Sequence, residues 1–476
     1  MARAYYDRLS AQDNTFLLGE TPTSQMHVAG LQIFELGDLA TEQGGVDFDR
    51  LRRATEAVLH RIPRYRQKLR WTPLTGNPVW VDDPDFRLEY HMRHTSLPRP
   101  GDLQQLRRMV GRIVAQPLDR ERPLWETWIV EGLSGDRFAL ISKIHHCMID
   151  GSSGVDLAQI LLSVQPEKLV PEPVPYVPKA APSGGELLRD EFLRRASLPL
   201  KLLRGVRALR QEADGLGSEL GVRAKALGDL VGMALNPPSQ TPLNGRLGPH
   251  RRFDWLRMPL EDVKAVRRAA RCTVNDVVLT TATGAFREYL RRRNVDPGAI
   301  DFRASAPVST RRAGDEGTLG NHVSSWMIDL PIGETTPAAQ LAAIHAETRK
   351  LKESRQALGV ELIMGVAEWT PPVLLSLGAQ AVGGQVNTII TNVPGPQFPL
   401  YMQGARLLEM VPMVPLLPGM GLGIALFSYD GQLSWGFNAD YALVPDLEVF
   451  VDLVRESFQA FAAAMNAEVQ PPTASA

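Results

Sequence analysis

The stretch that decides the fold is residues 122–151, which read "RPLWETWIVEGLSGDRFALISKIHHCMIDG". Residues 125–133 and 137–146 have the composition of β-strands, and the Ser-Gly-Asp sequence at 134–136 is a turn signal between them. The pattern predicts an antiparallel hairpin whose second strand ends at a pair of histidines. A tight loop and a helix over about residues 154–164 are expected to follow.

The two histidines at the end of this strand, His145 and His146, are candidates for acid–base chemistry. Side chains alternate along a strand, so only one of the two can readily enter a shared cleft. Histidine titrates near neutral pH and can take the proton of an attacking hydroxyl, although a structural role is the alternative. No metal site is expected, because neighbouring strand histidines diverge and no HExxH motif or cysteine cluster accompanies them.

The residues that follow the histidines are expected to shape the loop. Asp150 and Gly151 form a turn signal, and Asp150 is expected to bind backbone N–H groups or an arginine rather than to relay a proton. Gly151 is expected to serve backbone geometry, and Cys147 to be a small buried side chain. The sequence has no GxSxG motif for a serine nucleophile. This favours a reaction in which the hydroxyl attacks its substrate directly, without a covalent enzyme intermediate.

The rest of the chain reads as two mixed domains. Amphipathic patterns predict helices over residues 46–62 and 102–116, each followed by a proline. Residues 166–182 hold six prolines and form the clearest boundary. We therefore predict an N-terminal domain (1–165), a linker and crossover segment (166–245) and a C-terminal domain (246–476).

The second half mixes strands and helices without a regular βαβ period. Strands are predicted at 251–260, 302–310, 321–331, 386–395 and 422–439, and helices at 261–271, 275–289, 336–354, 358–382 and 446–465. This pattern predicts an α/β (α+β) fold of two sandwich-like domains rather than a doubly wound nucleotide-binding fold.

Composition limits the environment and the partners. The chain has 476 residues, a formal net charge of −1 and two cysteines, which predicts two domains in a reducing compartment and no general attraction to nucleic acid. Residues 410–429 carry no charge, but three prolines and three glycines argue against a membrane-spanning helix and favour buried strands and turns. No apolar run suited to a signal peptide occurs near the N-terminus, so a cytoplasmic location is expected.

Three sequence blocks together resemble a known family. The stretch "HHCMIDG" matches the HHxxxDG signature of the CoA-dependent acyltransferase superfamily. Two further blocks, in the right order, resemble the bacterial wax ester synthase/diacylglycerol acyltransferase family over nearly the full length: the Pro-Leu-Trp motif at Pro123, Leu124 and Trp125, and the Asn-Asp motif at Asn275 and Asp276. The resemblance implies two chloramphenicol-acetyltransferase-like domains with a tunnel between them.

The resemblance also implies an activity. Such an enzyme moves a fatty acyl group from acyl-CoA, its co-substrate, to a hydroxyl of diacylglycerol or a long-chain alcohol, giving triacylglycerol or wax ester without a further cofactor. His146 would be the general base, His145 would shape the site, and Asp150 would be structural.

The other motif residues are open to more than one interpretation. Asn275 is either a donor to the developing oxyanion or the cap of the helix that begins there. Asp276 is expected to be structural, and Trp125 to belong to the core rather than to contact substrate.

Two questions stay open at this level. The basic Leu/Arg segment at 186–210 either rests on a membrane or lipid-droplet surface or packs between domains. The alternative to an enzyme is a non-catalytic lipid-droplet binding protein with a degenerate acyltransferase fold. The preferred acceptor, the acyl chain length and the oligomeric state cannot be read from the sequence.

Overall fold

The computed structural model describes residues 6–42, 44–148, 160–168, 171–196, 236–309, 323–354 and 384–470. The strands in these ranges are β1 (Asp7–Arg8), β2 (His27–Glu35), β3 (Gln67–Trp71), β4 (Pro78–Asp82), β5 (Met92–Ser96), β6 (Trp125–Leu133), β7 (Arg137–His145), β8 (Asn244–Gly245), β9 (Arg251–Pro259), β10 (Phe302–Ser309), β11 (Val323–Leu330), β12 (Thr388–Pro394), β13 (Tyr401–Met402), β14 (Ala405–Met413), β15 (Gly419–Met420), β16 (Leu422–Tyr429) and β17 (Gln432–Asp440). The helices are α1 (Ala11–Gly19), α2 (Phe48–Val58), α3 (Leu88–His91), α4 (Leu103–Val114), α5 (Gly184–Ala196), α6 (Leu260–Ala270), α7 (Val274–Arg292), α8 (Pro337–Ser354) and α9 (Leu447–Ala464).

The N-terminal sheet has six strands in the order β13-β14-β2-β7-β6-β5. The predicted hairpin is confirmed: β6 and β7 pair antiparallel, and the turn between them places Gly135 and Asp136 at positive φ. Strand β2 pairs with the other side of β7, so that His27 lies directly opposite His145. The histidine pair therefore follows a central strand, held on both sides.

The two faces of this sheet bury different clusters. On one face, Phe34, Phe138 and Ile144 pack with residues of α1 and α2. On the other face, Leu31 and Ile141 pack with α4 and with the start of β9. The alternation of side chains along β2 and β7 produces this division.

The C-terminal sheet also has six strands, in the order β11-β10-β12-β16-β17-β9. Strand β12 is parallel to both of its neighbours, β10 and β16, whereas β16 and β17 form an antiparallel hairpin. Helices α7 and α9 cover the sheet, and Phe286, Trp435 and Phe450 are nearly or fully enclosed in its core. Residues 410–429 form strands and turns, as predicted: they comprise the end of β14, which belongs to the N-terminal sheet, then β15, and then β16 of the C-terminal sheet.

The two sheets are interlocked. Strand β14, which the sequence assigns to the C-terminal domain, pairs with β2 in the N-terminal sheet. Strand β17 packs on it so closely that a side chain at Gly436 would collide with the carbonyl of Pro412. The predicted domain limits, 1–165, 166–245 and 246–476, stay a prediction, but the N-terminal sheet needs residues from beyond 400.

Most predicted helices are found. Helix α4 begins after Asp102, whose carboxylate forms a capping box with Gln105, and α2, α6, α7, α8 and α9 match their predicted positions. The helix predicted at 358–382 and most of the one at 154–164 lie outside the described residues. No helix within the described ranges is both long and apolar enough to cross a membrane.

The basic segment is described only in part, as α5. Leu187 is buried against Val79 and Val81, whereas Phe192 and Leu193 are exposed. Membrane contact by residues 186–210 stays a prediction.

Candidate active site

The histidine pair sits at the junction of three chain segments. Strand β7 ends at His145, and His146 begins one turn of 3₁₀-helix. The backbone N–H of His145 donates to the Leu124 carbonyl at 2.9 Å, and that of His146 donates to the Met26 carbonyl at 2.8 Å. These two hydrogen bonds fix the backbone of both histidines independently of their side-chain contacts.

The ring of His146 is stacked on a phenylalanine. Its centroid lies 3.9 Å from that of Phe16 in α1, with 17° between the ring planes. Burial is the main cause that lowers the pKa of His146 to about 4, and the neighbouring His145 contributes to this lowering. The imidazole is therefore unprotonated at neutral pH, which is the state that a general base requires.

One ring nitrogen of His146 is enclosed. Nδ1 is buried and has no hydrogen-bond partner among the described residues, although the side chain as a whole is only half-buried. A reactant would consequently reach the ring from the side of Nε2.

His145 is buried; its Nδ1 has two polar contacts, whereas its Nε2 makes no hydrogen bond to the described residues. Its Nδ1 accepts from the backbone N–H of Cys147 at 3.2 Å and lies 2.9 Å from the Cys147 Sγ. Its Nε2 lies 3.7 Å from a carboxylate oxygen of Glu20. Because a backbone N–H can only donate, the Nδ1 atom is the acceptor and the ring proton lies on Nε2.

The Glu20 carboxylate is held by Arg120. The guanidinium donates from Nε and Nη2 to Oε2, at 3.1 and 2.6 Å. Burial alone would raise the pKa of Glu20, but the nearby His145 ring together with the hydrogen bonds and charge of Arg120 outweighs it and lowers the pKa to about 2. A permanent buried anion therefore faces His145.

The Pro-Leu-Trp motif packs in the core and supplies a backbone hydrogen bond to His145. Trp125 is buried, donates from Nε1 to the Tyr65 carbonyl at 2.8 Å and stacks on His91. Leu124 is fully buried and supplies the carbonyl that binds His145, and Pro123 accepts the Trp125 N–H. These contacts are those of core residues.

The Asn-Asp motif begins α7. The helix cap is Thr273, which forms a capping box with the buried Asp276; the cap interpretation of Asn275 is therefore wrong. The Asn275 side chain is exposed, and its Oδ1 accepts from the Asn392 amide at 2.9 Å. The contacts of Asp276 are those that a structural role requires.

Asp150 and Gly151 lie outside the described residues, so the structure gives no account of them. Cys147 is buried, and burial raises the pKa of its thiol well above the usual value, which disfavours a thiolate nucleophile. The described ranges contain no group of three or more His, Cys, Asp or Glu side chains able to hold a metal ion.

A cleft of about 870 Å³ lies where α4 meets β9. Its lining is rich in arginine, although Arg107 is already paired with Asp254 and Arg251 with Asp440. His146 is not among the lining residues, so the tunnel implied by the resemblance stays a prediction.

Four residues of the site were not singled out from the sequence: Phe16, Glu20, His27 and Arg120. The first three lie in the blocks "LSAQDNTFLLGE" and "MHVAG" near the N-terminus, which resemble the opening of the family. Their contacts depend on the pairing of β2 with β7, two strands more than 100 residues apart in the sequence. Hydrophobic periodicity does not specify which strands pair.

Comparison with known proteins identifies the family. Residues 9–278 match the wax ester synthase/diacylglycerol acyltransferase catalytic domain, and residues 319–462 match the C-terminal domain of the same family. A protein of Mycobacterium tuberculosis H37Rv, named provisionally as a diacylglycerol O-acyltransferase, is 33% identical over 460 residues, covering 93% of this chain and 88% of the relative. A second protein of that strain, tgs1, is also named as a diacylglycerol O-acyltransferase. It is 30% identical over 449 residues, covering 92% of each chain.

Solved structures agree. The wax ester synthase/diacylglycerol acyltransferase from Marinobacter aquaeolei VT8 matches with a TM-score of 0.66 and 25% identity, over 96% of this chain and 100% of the other. The first condensation domain of the calcium-dependent antibiotic synthetase has a similar fold, with a TM-score of 0.57 and 18% identity over 96% of each chain. The chain thus belongs to the wax ester synthase/diacylglycerol acyltransferase family and is an O-acyltransferase.

Proposed function

We propose that this enzyme transfers a fatty acyl group from acyl-CoA to a hydroxyl of diacylglycerol or a long-chain alcohol, with His146 as the general base. The observation that carries the proposal is the position and state of that imidazole: it lies at the end of β7, half-buried, and its pKa of about 4 leaves it unprotonated. The names of the relatives, which refer to diacylglycerol, support the acceptor class.

The proposed reaction is a direct transfer. The acceptor hydroxyl attacks the thioester carbonyl carbon while its proton passes to Nε2 of His146, the ring nitrogen other than the buried Nδ1. The tetrahedral intermediate then collapses, the C–S bond breaks, and the imidazolium returns the proton to the departing thiolate. Acid–base assistance of this kind contributes about 10²- to 10⁴-fold to a rate.

The low pKa of His146 is compatible with this role. A base with a pKa near 4 is fully unprotonated at neutral pH, and its protonated form readily gives the proton to the leaving group. No covalent nucleophile is needed, because a thioester is already activated and the nearest thiol, Cys147, is buried and protonated.

We propose Asn275 as a donor to the developing oxyanion. Thr273 caps α7, so the amide of Asn275 is not needed for the helix, and its oxygen is bound by Asn392. The remaining capacity of this amide is to donate N–H bonds. Removal of an oxyanion donor typically lowers kcat by about 10²- to 10³-fold.

An acceptor panel tests the activity. Purified enzyme is incubated with palmitoyl-CoA and either hexadecanol or a diacylglycerol, with no metal or cofactor added; release of the CoA thiol is followed and the ester is identified by mass spectrometry. The proposal predicts thiol release that depends on the acceptor, with the matching wax ester or triacylglycerol as product. Tight lipid binding without ester formation would favour the non-catalytic lipid-binding alternative.

A further inference from the structure

Glu20 connects the segments that surround the histidine pair. Its side chain is only 10% exposed, and both carboxylate oxygens are engaged. Oε1 accepts the backbone N–H of Met26 at 3.2 Å, and Oε2 binds Arg120. The Met26 carbonyl in turn accepts the N–H of His146, so one residue separates the Glu20 carboxylate from the backbone of the proposed base.

The same carboxylate faces the ring of His145. Because Nδ1 of His145 accepts the Cys147 N–H, the ring proton lies on Nε2, 3.7 Å from Glu20 Oε2. An anion at this point favours that tautomer and attracts a proton there. Glu20 therefore places a negative charge beside the ring of the first histidine and, through Met26, holds the backbone of the second.

Arg120 compensates the buried negative charge of Glu20 and also binds α1. A buried carboxylate without a partner would be strongly destabilising, and the fork of Arg120 supplies two bonds to one oxygen. The same guanidinium donates to the Leu17 carbonyl at 3.0 Å. Leu17 follows Phe16, the residue stacked on His146, so the ion pair also anchors the helix that carries this stacking partner.

From these contacts we infer that Glu20 is a positioning residue for catalysis and that Arg120 acts through it. The pair joins α1, the segment before β2 and the end of β7, which are the three parts that set the place of the His146 ring. The inference rests on the proposed role of His146 as base. A displacement of about 1 Å at a reacting group can lower turnover by about 10²-fold.

The test compares steady-state kinetics of the wild type with those of Glu20→Gln, which keeps the size of the side chain and removes its charge. We expect kcat to fall by roughly 10- to 100-fold, with the KM for palmitoyl-CoA changed by less than about threefold, because positioning acts on the reaction step rather than on substrate binding. A change confined to KM, or a kcat within threefold of wild type in a folded variant, overturns the inference.

Glu409→Gln is the matched control for a merely structural ion pair. Glu409 lies in β14, where it accepts from Arg257 at 2.9 Å and from the Trp255 Nε1 at 3.0 Å. This variant is expected to lower the thermal midpoint while kcat, measured well below that temperature, stays at the wild-type level. Equal kcat losses in Glu20→Gln and Glu409→Gln would show that the effect is general destabilisation and would overturn the inference.

Two arginine variants keep the inference testable if Glu20→Gln does not fold. Arg120→Lys retains the charge, whereas Arg120→Met removes it, so we expect Arg120→Lys to recover part of the kcat that Arg120→Met loses. Folded forms of both with wild-type kcat would contradict the inference. In the same assay, turnover that survives in His146→Ala would instead defeat the proposed base, whatever the result at Glu20.

Discussion

At the scale of single residues, the state of His146 follows from what encloses it. The Phe16 ring covers one face of the imidazole, and the burial that lowers its pKa to about 4 disfavours the charged form. Glu20, only a few residues further along the chain, acts on the other histidine of the pair. One short N-terminal stretch therefore supplies both the packing and the charge around the motif.

Phe16, which stacks on His146, should determine the pH at which kcat/KM falls on the acidic side of the profile. Replacing Phe16 with alanine admits water to the imidazole, which favours the protonated form and raises its pKa from about 4 toward 6.5. The midpoint of the acidic fall in kcat/KM should therefore move to higher pH. Phe48→Ala is the control, because Phe48 stacks on a different histidine, His94, at 4.7 Å. An acidic limb that moves equally in both variants, or in neither, would contradict the role of Phe16.

At the scale of secondary structure, the residues of the first turn of α7 make two different kinds of contact. Thr273 and Asp276 exchange hydrogen bonds that satisfy the first turn, whereas the Asn275 side chain between them in sequence bonds to β12 instead. Of the two adjacent motif residues, Asp276 thus contributes to the helix cap, whereas the Asn275 side chain bonds to another strand.

Substitutions in this turn should therefore lower either the thermal midpoint or kcat, depending on the residue. Thr273→Ala removes a cap worth about 1 kcal/mol and should lower the thermal midpoint by roughly 2 °C with little change in kcat. Asn275→Ala should leave the midpoint nearly unchanged and lower kcat by about 10²-fold or more if its amide stabilises the oxyanion. Differential scanning calorimetry and steady-state kinetics on the two variants check both parts; an Asn275→Ala enzyme with normal kcat would remove Asn275 from the mechanism.

At the scale of the whole molecule, buried neutral histidines link folding to pH. Burial is the main cause that lowers the pKa of His27 to about 3 and that of His91 to about 4. Each donates one ring N–H to a backbone carbonyl, that of Val114 and that of Trp125 respectively. In the unfolded chain such groups titrate near 6.5, so the unfolded state binds more protons than the native state below that pH.

The thermal midpoint should therefore fall as the pH is lowered from 6.5 toward 4. At pH 5, His27 and His91 each contribute roughly 2 kcal/mol of destabilisation relative to neutral pH. The contribution of Glu20 is lost only at lower pH, between its ordinary pKa of 4.5 and about 2. Calorimetry from pH 7.5 to 4.5 should show this decline, and His91→Asn should make it shallower. A midpoint constant between pH 7 and 5 would rule out neutral buried histidines.

The sequence predicts much of this molecule because local signals agree with its tertiary structure. The hairpin that ends at His145 follows from alternation and a Ser-Gly-Asp turn, and α4 from its apolar stripe and its Asp102 cap. By contrast, the insertion of β14 beside β2 joins residues almost 400 positions apart, and nothing in either strand specifies its partner. The contacts of Glu20 with Arg120 and His145 depend on that assembly, so the motif residues could be named from the sequence while their supporting contacts could not.

The most direct test of the central claim is the rate of acceptor-dependent thiol release by His146→Ala. We expect a loss of about 10²- to 10⁴-fold in kcat for this variant, with a thermal midpoint close to that of the wild type. His94→Ala, at an exposed histidine paired with Glu131 away from the site, should retain wild-type turnover. A folded His146→Ala enzyme whose kcat lies within tenfold of the wild type would contradict the claim that this imidazole takes the proton.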